Sequence, residues 1–330
     1  MRVLAAVDKF RGTATAADVA AAIGHACWER GHDCVEQPLA DGGEGMLDVL
    51  GGPNRTSTVT GPLGAPVDAE WRLSRDTAII EMARASGLVL AGGAEGNDPM
   101  HATTAGTGEL IDAAVTAGAR RIIVGLGGSA TTDGGLGALR AIRSPARLRG
   151  VELLVACDVT TTFTHAAEVF GPQKGATPAQ IKMLTNRLEQ LAQQYLAEFD
   201  VDVTRIEGSG AAGGIAGMLA ALGAKLVPGF DLVADEVDLY DRLDETDLVI
   251  TGEGHLDAQS FEGKVVGGMA ELAAEHDRPI GAVVGIADDD VADRIPTWSL
   301  VELFGAERSL REPLWCIERA AGLLLDDLGG

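Results

Sequence analysis

Aromatic residues make up only 4% of this 330-residue chain, so Ala, Val, Leu and Ile must pack the interior. Positive charge is also scarce. Lys and Arg number 26 against 49 Asp and Glu, a net charge of −23. Such a surface repels the phosphate backbone of nucleic acids and anionic membranes, which excludes both as partners. The four cysteines (Cys27, Cys34, Cys157 and Cys316) show no Cys-x-x-Cys spacing and no histidine at zinc-ligand spacing. They read as reduced thiols, and a cytoplasmic location is expected. No uninterrupted apolar run approaches ~18 residues, so no membrane span is expected. The apolar N-terminus runs into Asp8 and Lys9; it is too short for a signal sequence and fits a buried strand. A Walker A loop is missing, because Gly263-Lys264 lacks both the earlier glycine and a following Ser or Thr. Protein-kinase loops and a Gly-x-Ser-x-Gly elbow are missing too.

What is present is an ordinary globular balance, 46% hydrophobic and 23% charged, with 44 glycines. The length suggests two domains. Buried strands are expected over residues 2–7, 33–37, 121–124, 151–156, 247–251, 280–284 and 299–303. Helical spacing covers 13–30, 44–50, 107–117 and 312–328. Thr177 and Pro178 form a helix start, as cap and first helical position, for a helix reaching about Phe199. Segments 56–60 and 67–73 alternate around a Gly-Pro-Leu-Gly turn, which reads as a hairpin or meander. Alternating strands and helices at both ends argue for a parallel α/β sheet, and the irregular middle for a second α/β unit inserted within it. That divides the chain into 1–60 with 245–330, and 61–244.

The most informative stretch is Gly-Leu-Gly-Gly-Ser-Ala-Thr-Thr-Asp-Gly-Gly over residues 125–135. Glycines let backbone N–H groups turn inward, so such a loop can cradle phosphate. Ser129, Thr131 and Thr132 can donate to phosphate oxygens, and Asp133 could hold Mg²⁺. Polar, glycine-bearing loops also follow other expected strands, at 8–12, 40–45, 158–160 and 251–257. In open α/β sheets ligands bind at the carboxyl ends of the strands. Residues 208–213 and 125–130 formally match dinucleotide fingerprints, which leaves an NAD-dependent oxidoreductase as an alternative. Against an acidic field, the few cations inside these motifs become anion-site candidates: Lys9, Arg11, Lys174 and Lys264. His255, within the Gly-Glu-Gly loop, could touch a ligand.

Taken together and in order, the motifs resemble the type I bacterial glycerate kinase family. The matching pieces are Asp-Lys-Phe-Arg at 8–11, Pro-Leu-Ala-Asp-Gly-Gly-Glu-Gly at 38–45, Thr-Gly-Pro-Leu-Gly at 60–64 and Glu-Met-Ala-Arg-Ala-Ser-Gly-Leu at 81–88. They continue at 103–110, 127–135, 156–159, 169–178, 210–214 and 247–254, and end with Gly263-Lys264. The resemblance spans nearly the whole chain. It implies transfer of the γ-phosphoryl of ATP to D-glycerate, giving 2-phospho-D-glycerate, with Mg²⁺ required; a kinase of another small hydroxy acid is the nearest alternative. It also implies a flavodoxin-like (Rossmann-like) parallel-sheet domain, a second α/β domain inserted in it, and an active site in the interdomain cleft. Two departures stand out. The segment between Arg140 and Val151 is shorter than is usual in the family, with room to alter contacts in a homodimer or substrate fit. Residues 8–11 read Asp-Lys-Phe-Arg where Asp-Ser-Phe-Lys is common, and an arginine keeps the charge without carrying a proton.

Under that resemblance each residue acquires an expected role. Arg11, with Lys9, takes the glycerate carboxylate through parallel hydrogen bonds, and Glu44 joins the substrate set. Asp41 is the favoured acceptor of the 2-hydroxyl proton, with Asp8 close behind. Gly127, Gly128, Ser129, Thr131 and Gly252 hold the nucleotide phosphates. Asp158 and Glu253 are the expected Mg²⁺ ligands, with Asp133 able to share that role, while Lys174 or Lys264 counters the charge moving onto ADP.

Overall fold

A computed structural model describes residues 1–291 and 293–329. In chain order the strands are β1 (Arg2–Val7), β2 (Asp33–Pro38), β3 (Arg55–Thr60), β4 (Pro66–Ser74), β5 (Thr77–Glu81) and β6 (Arg121–Gly125). They continue with β7 (Glu152–Ala156), β8 (Lys225–Val227), β9 (Leu248–Leu256), β10 (Ile280–Ala287) and β11 (Thr297–Ser299). The chain divides into two compact units, Met1–Asp41 with Gly229–Gly330, and Gly42–Pro228. Among the described residues no helix is long and apolar enough to cross a membrane.

In the first unit the sheet order is β11-β10-β9-β1-β2, and every pair is parallel. Counted within the unit, that is the 2-1-3-4-5 order of flavodoxin-like sheets, with the order reversing between β1 and β9. A sheet covered on both faces needs strands that are apolar throughout, and Val3 to Val7 are all buried. On β10, Val283 faces the helices Ala16–Glu29 and Pro313–Leu328, while Ala282 and Val284 face Val266 of the helix Val265–Glu275. The helix Ala16–Glu29 starts on a capping box: the Thr15 hydroxyl accepts from the Asp18 N–H (3.1 Å), and the Asp18 carboxylate accepts from the Thr15 N–H (3.2 Å).

The second unit has the order β3-β4-β5-β6-β7-β8, antiparallel from β3 to β5 and parallel from β5 to β8. The β3–β4 hairpin turns at residues 61–64, where the Gly64 N–H donates to the Gly61 carbonyl (3.0 Å) and Gly64 has φ +90°. A single large core joins this sheet to the helices Ala105–Thr116, Pro178–Phe199 and Ile215–Ala221.

The units meet the chain at different points from those expected. Residues 42–60 fall in the second unit because β3 pairs with β4 from Arg55↔Trp71 to Thr60↔Pro66. Residues 229–244 fall in the first because Phe230 packs on Gly268 of the helix Val265–Glu275, where an added Cβ would lie 2.3 Å from the ring. The strand expected over 299–303 is also corrected. It ends at Ser299, whose hydroxyl caps the Glu302 N–H and starts the helix Leu300–Phe304. The loop expected over 251–257 is strand as far as Leu256.

Candidate active site

In the first unit the strand ends at the β1/β9 reversal converge on one cavity of about 430 Å³. Asp8 follows β1, Asp41 lies three residues beyond β2, and Glu253 and His255 sit on β9 itself. Lys9, Arg11, Asp257 and Lys264 add further charge to the lining, and Ile286, Leu300 and Leu310 form an apolar wall. Lys264 immediately precedes the helix Val265–Glu275, so its ammonium and the helix N-terminal amides favour an anion at the same place.

The carboxyl groups in this cavity are held off their ordinary values. Burial pushes Asp8 up to about 6; the negative charge of Asp41 adds to this, and Lys9 opposes it. The Lys9 N–H donates to Asp8 Oδ1 (2.7 Å), and the Lys9 ammonium stands 3.7 Å from the same oxygen. Burial likewise pushes Glu253 up to about 7; Asp8 and Asp257 add to the shift, while Ser260 and Lys264 oppose it. Glu253 Oε1 is buried with no hydrogen-bond partner. His255 Nε2 lies 2.8 Å from Asp288 Oδ1, and that contact raises its pKa. The cavity thus offers proton acceptors poised near neutrality beside three fixed cations.

Of the expected site residues, Asp8, Lys9, Arg11, Asp41, Glu253 and Lys264 therefore share one cavity. Gly252 does not belong to a loop. It is paired with Val283 inside β9, and an added Cβ would lie 2.1 Å from the Val283 carbonyl oxygen. Close strand packing explains this glycine.

The remaining site residues lie in the second unit. Glu44 is exposed, in the loop that touches Gly127. A Cβ on Gly127 would sit 2.7 Å from Gly43 Cα and 3.0 Å from the Glu44 nitrogen. Gly128 is exposed with φ +70°, while Ser129 beside it is only 8% exposed. Beyond it the loop turns inward. Thr131 is fully buried, its hydroxyl donating to the Ala212 carbonyl (3.3 Å). Asp133 accepts four hydrogen bonds. Its Oδ2 takes the Thr104 N–H (2.9 Å), the Thr104 hydroxyl (2.9 Å) and the Gly137 N–H (3.1 Å), and Oδ1 takes the Gly135 N–H (3.0 Å). Those bonds tie the 133–137 stretch to Thr104 and leave the carboxylate poorly suited to a metal. Lys174 is 2% exposed, and its ammonium donates to the Thr131 carbonyl (2.7 Å). Burial pushes it down to about 7 against the pull of Asp133. Asp158 follows β7, half-buried, beside Cys157, whose thiol donates to the Gly208 carbonyl (3.5 Å).

Sequence reasoning gave no role to Glu81 or Asn97. Glu81, 2% exposed at the end of β5, accepts from the N–H groups of Gly45 (2.9 Å) and Leu47 (2.8 Å) and so fixes the 42–45 loop. The Asn97 amide donates to the carbonyls of Ala130 (3.0 Å) and Lys174 (2.9 Å), locking the inner loop from its other side. A carboxylate ending an apolar strand was the available signal for Glu81; nothing local marks Asn97.

The dinucleotide reading does not survive. Residues 208–213 follow the short turn Val203–Arg205 rather than a strand, and the 125–130 run leaves β6 without opening a helix. The pyrophosphate geometry of that fingerprint requires strand, loop and helix in sequence.

Comparison with known proteins points elsewhere. The model of the Glycerate kinase family matches residues 3–145 and 143–326. The chain is similar to the glycerate 2-kinase of Escherichia coli (strain K12), 39% identical over 331 residues, with 88% of this chain and 87% of that protein covered. It is similar to the glycerate kinase of Bacillus subtilis (strain 168), 38% identical over 330 residues, with 88% and 86% covered. Among solved structures it resembles "putative glycerate kinase 2 from Salmonella typhimurium LT2", with a TM-score of 0.81, 33% identity, and 100% and 98% of the two chains covered.

Proposed function

The chain belongs to the glycerate kinase family, and from that premise we propose that it moves the γ-phosphoryl group of ATP onto the 2-hydroxyl of D-glycerate, giving 2-phospho-D-glycerate. It is an enzyme that phosphorylates glycerate. The observation that carries it is the first-unit cavity, where Asp8, Asp41 and Glu253 face Lys9, Arg11 and Lys264 at the β1/β9 reversal.

Glycerate presents a carboxylate and a hydroxyl. Arg11, exposed at the cavity, takes the carboxylate in a bidentate pair, with Lys9 supporting it. The hydroxyl proton goes to Asp8. The sequence favours Asp41, but it is Asp8 whose pKa is raised to about 6, by desolvation first, with Asp41 contributing to that rise. A base poised slightly below neutral pH is ionised when substrate arrives and still basic enough to accept the proton. Lys264 and the amides at the start of its helix offset negative charge on transferred or leaving phosphate oxygens. In the second unit, the Gly127 and Gly128 amides and the Ser129 hydroxyl are the phosphate-holding set. Thr131, Asp133 and Lys174 keep that loop in shape.

The donor set fits Mg²⁺ at one expected ligand and not at another. Glu253 offers a buried, unpartnered Oε1 in a cavity rich in carboxyl oxygens, as a hard cation requires. Asp133 has its oxygens committed elsewhere. Asp158, half-buried at the end of β7, stays in the ligand set. When bound, Mg²⁺ neutralises phosphate charge and orients the oxygens.

ADP release measured with and without D-glycerate tests the reading, with the product's phosphate position assigned by NMR. Glycerate-dependent ADP release and 2-phosphoglycerate are expected. Release indifferent to glycerate, or a 3-phosphorylated product, would contradict it.

A further inference from the structure

The helix Ala16–Glu29 lies against β2, the edge strand of the first sheet. Gly24 and Cys27 share one face of that helix at i, i+3. Cys34 and Glu36 share one face of the strand at i, i+2. The approach between the two faces is close: a Cβ at Gly24 would sit 2.2 Å from Glu36 Oε1. From that contact, a three-residue step along the helix (about 4.5 Å) runs antiparallel to a two-residue step along the strand (about 6.6 Å). It brings Cys27 opposite Cys34. The connection folds tightly enough to hold them there, because the N–H groups of Arg30 and His32 both donate to the Cys27 carbonyl (3.0 Å each), with Gly31 at φ +71°. Both thiols join the same apolar cluster.

We propose that Cys27 and Cys34 form a redox pair, closing to an intramolecular disulfide when the folded protein meets a small oxidised disulfide such as oxidised glutathione. The two sulfurs are not equivalent. Cys27 is fully buried, whereas Cys34 is half-buried on an edge strand and so is reachable. Each thiol's nearness to the other lowers the Cys34 pKa and raises that of Cys27. Cys34 is therefore the attacking sulfur. Its thiolate bonds to one sulfur of the small disulfide, whose S–S bond breaks and releases one thiolate. Cys27 then gives up its proton and bonds to Cys34 Sγ, displacing the second small thiolate. Two protein thiols are oxidised and one small disulfide is reduced to two thiols. Cys157 and Cys316 stay outside the exchange, since burial pushes both thiols up.

The test is to expose the reduced wild-type protein to oxidised glutathione, unfold it in an alkylating agent, and map the peptides by mass. The expected result is loss of two of the four thiols and an internal Cys27–Cys34 cross-link lighter by two hydrogens, reversed by dithiothreitol. Cys34→Ser is expected to keep all its remaining thiols, and Cys27→Ser to trap a stable glutathione adduct on Cys34. Four surviving thiols in the wild type would overturn the proposal. So would a lasting glutathione adduct on wild-type Cys34, or oxidation of Cys27 in the Cys34→Ser protein.

Discussion

Asp8, half-buried, and Asp133, buried, are both carboxyl groups close to a lysine, one after β1 of the first unit and the other after β6 of the second, yet their surroundings differ. Asp133 accepts four hydrogen bonds from Thr104, Gly135 and Gly137. Asp8 faces a cavity, with the Lys9 amide on one oxygen and a neighbouring carboxyl that discourages its charge. The lysines differ in the same way. Lys174 is sealed in the protein on the Thr131 carbonyl, while the Lys9 ammonium lines the cavity. A carboxylate whose oxygens are saturated by backbone N–H groups holds a shape. One left partly desolvated at a strand end holds reactivity.

If that contrast is right, the two residues fail in different ways when altered. Asp8→Asn is expected to lower kcat by about a hundred- to ten-thousand-fold while leaving thermal stability near wild type. A turnover within threefold of wild type, measured by ADP release, would break the assignment. Asp133→Ala is expected to do the reverse. It strands several buried donors and should cost roughly 3 kcal/mol or more of unfolding free energy, seen in urea denaturation. Arg11→Ala should raise the glycerate KM roughly 10- to 100-fold, through loss of a charge-assisted pair, with kcat largely kept. An unchanged KM would remove Arg11 from the carboxylate site.

The smallest effect sharpens the lysine half of the comparison. Burial holds Lys174 down to about 7 in the folded protein, against an ordinary 10.5. Between those values the unfolded chain binds more protons than the folded one, so wild-type stability gains from this group as pH rises through the window. The slope is on the order of 1 kcal/mol per pH unit. Lys174→Met should flatten that contribution in unfolding measured from pH 7 to 10.

Much of the framework is legible in the sequence. Thr177 and Pro178 marked a helix that runs over Pro178–Phe199, and the apolar run after Met1 is β1. Periodicity and caps act locally, so a local reading recovers them. The strand β5, only Thr77–Glu81, was missed because it is a short run directly after a tight turn at Arg75, φ +54°. The glycine loop was half legible. Glycine serves a phosphate and a neighbouring backbone for the same reason, the missing Cβ, and sequence does not separate the two. Gly213, where a Cβ would lie 2.0 Å from the Thr131 carbonyl, and Gly135, packed on Met218, serve the fold. Gly128 is exposed. The commitment of Asp133 to Thr104, 29 residues earlier, is likewise tertiary information.

The most direct test of Asp8 as the proton acceptor is the pH dependence of kcat/KM for glycerate at saturating nucleotide. Because the group's pKa is raised to about 6, activity should fall as pH drops through that value. The acid limb should be missing from whatever activity Asp8→Asn retains. A wild-type profile that stays flat from pH 5 to 8, or a limb unchanged in the variant, would contradict the account.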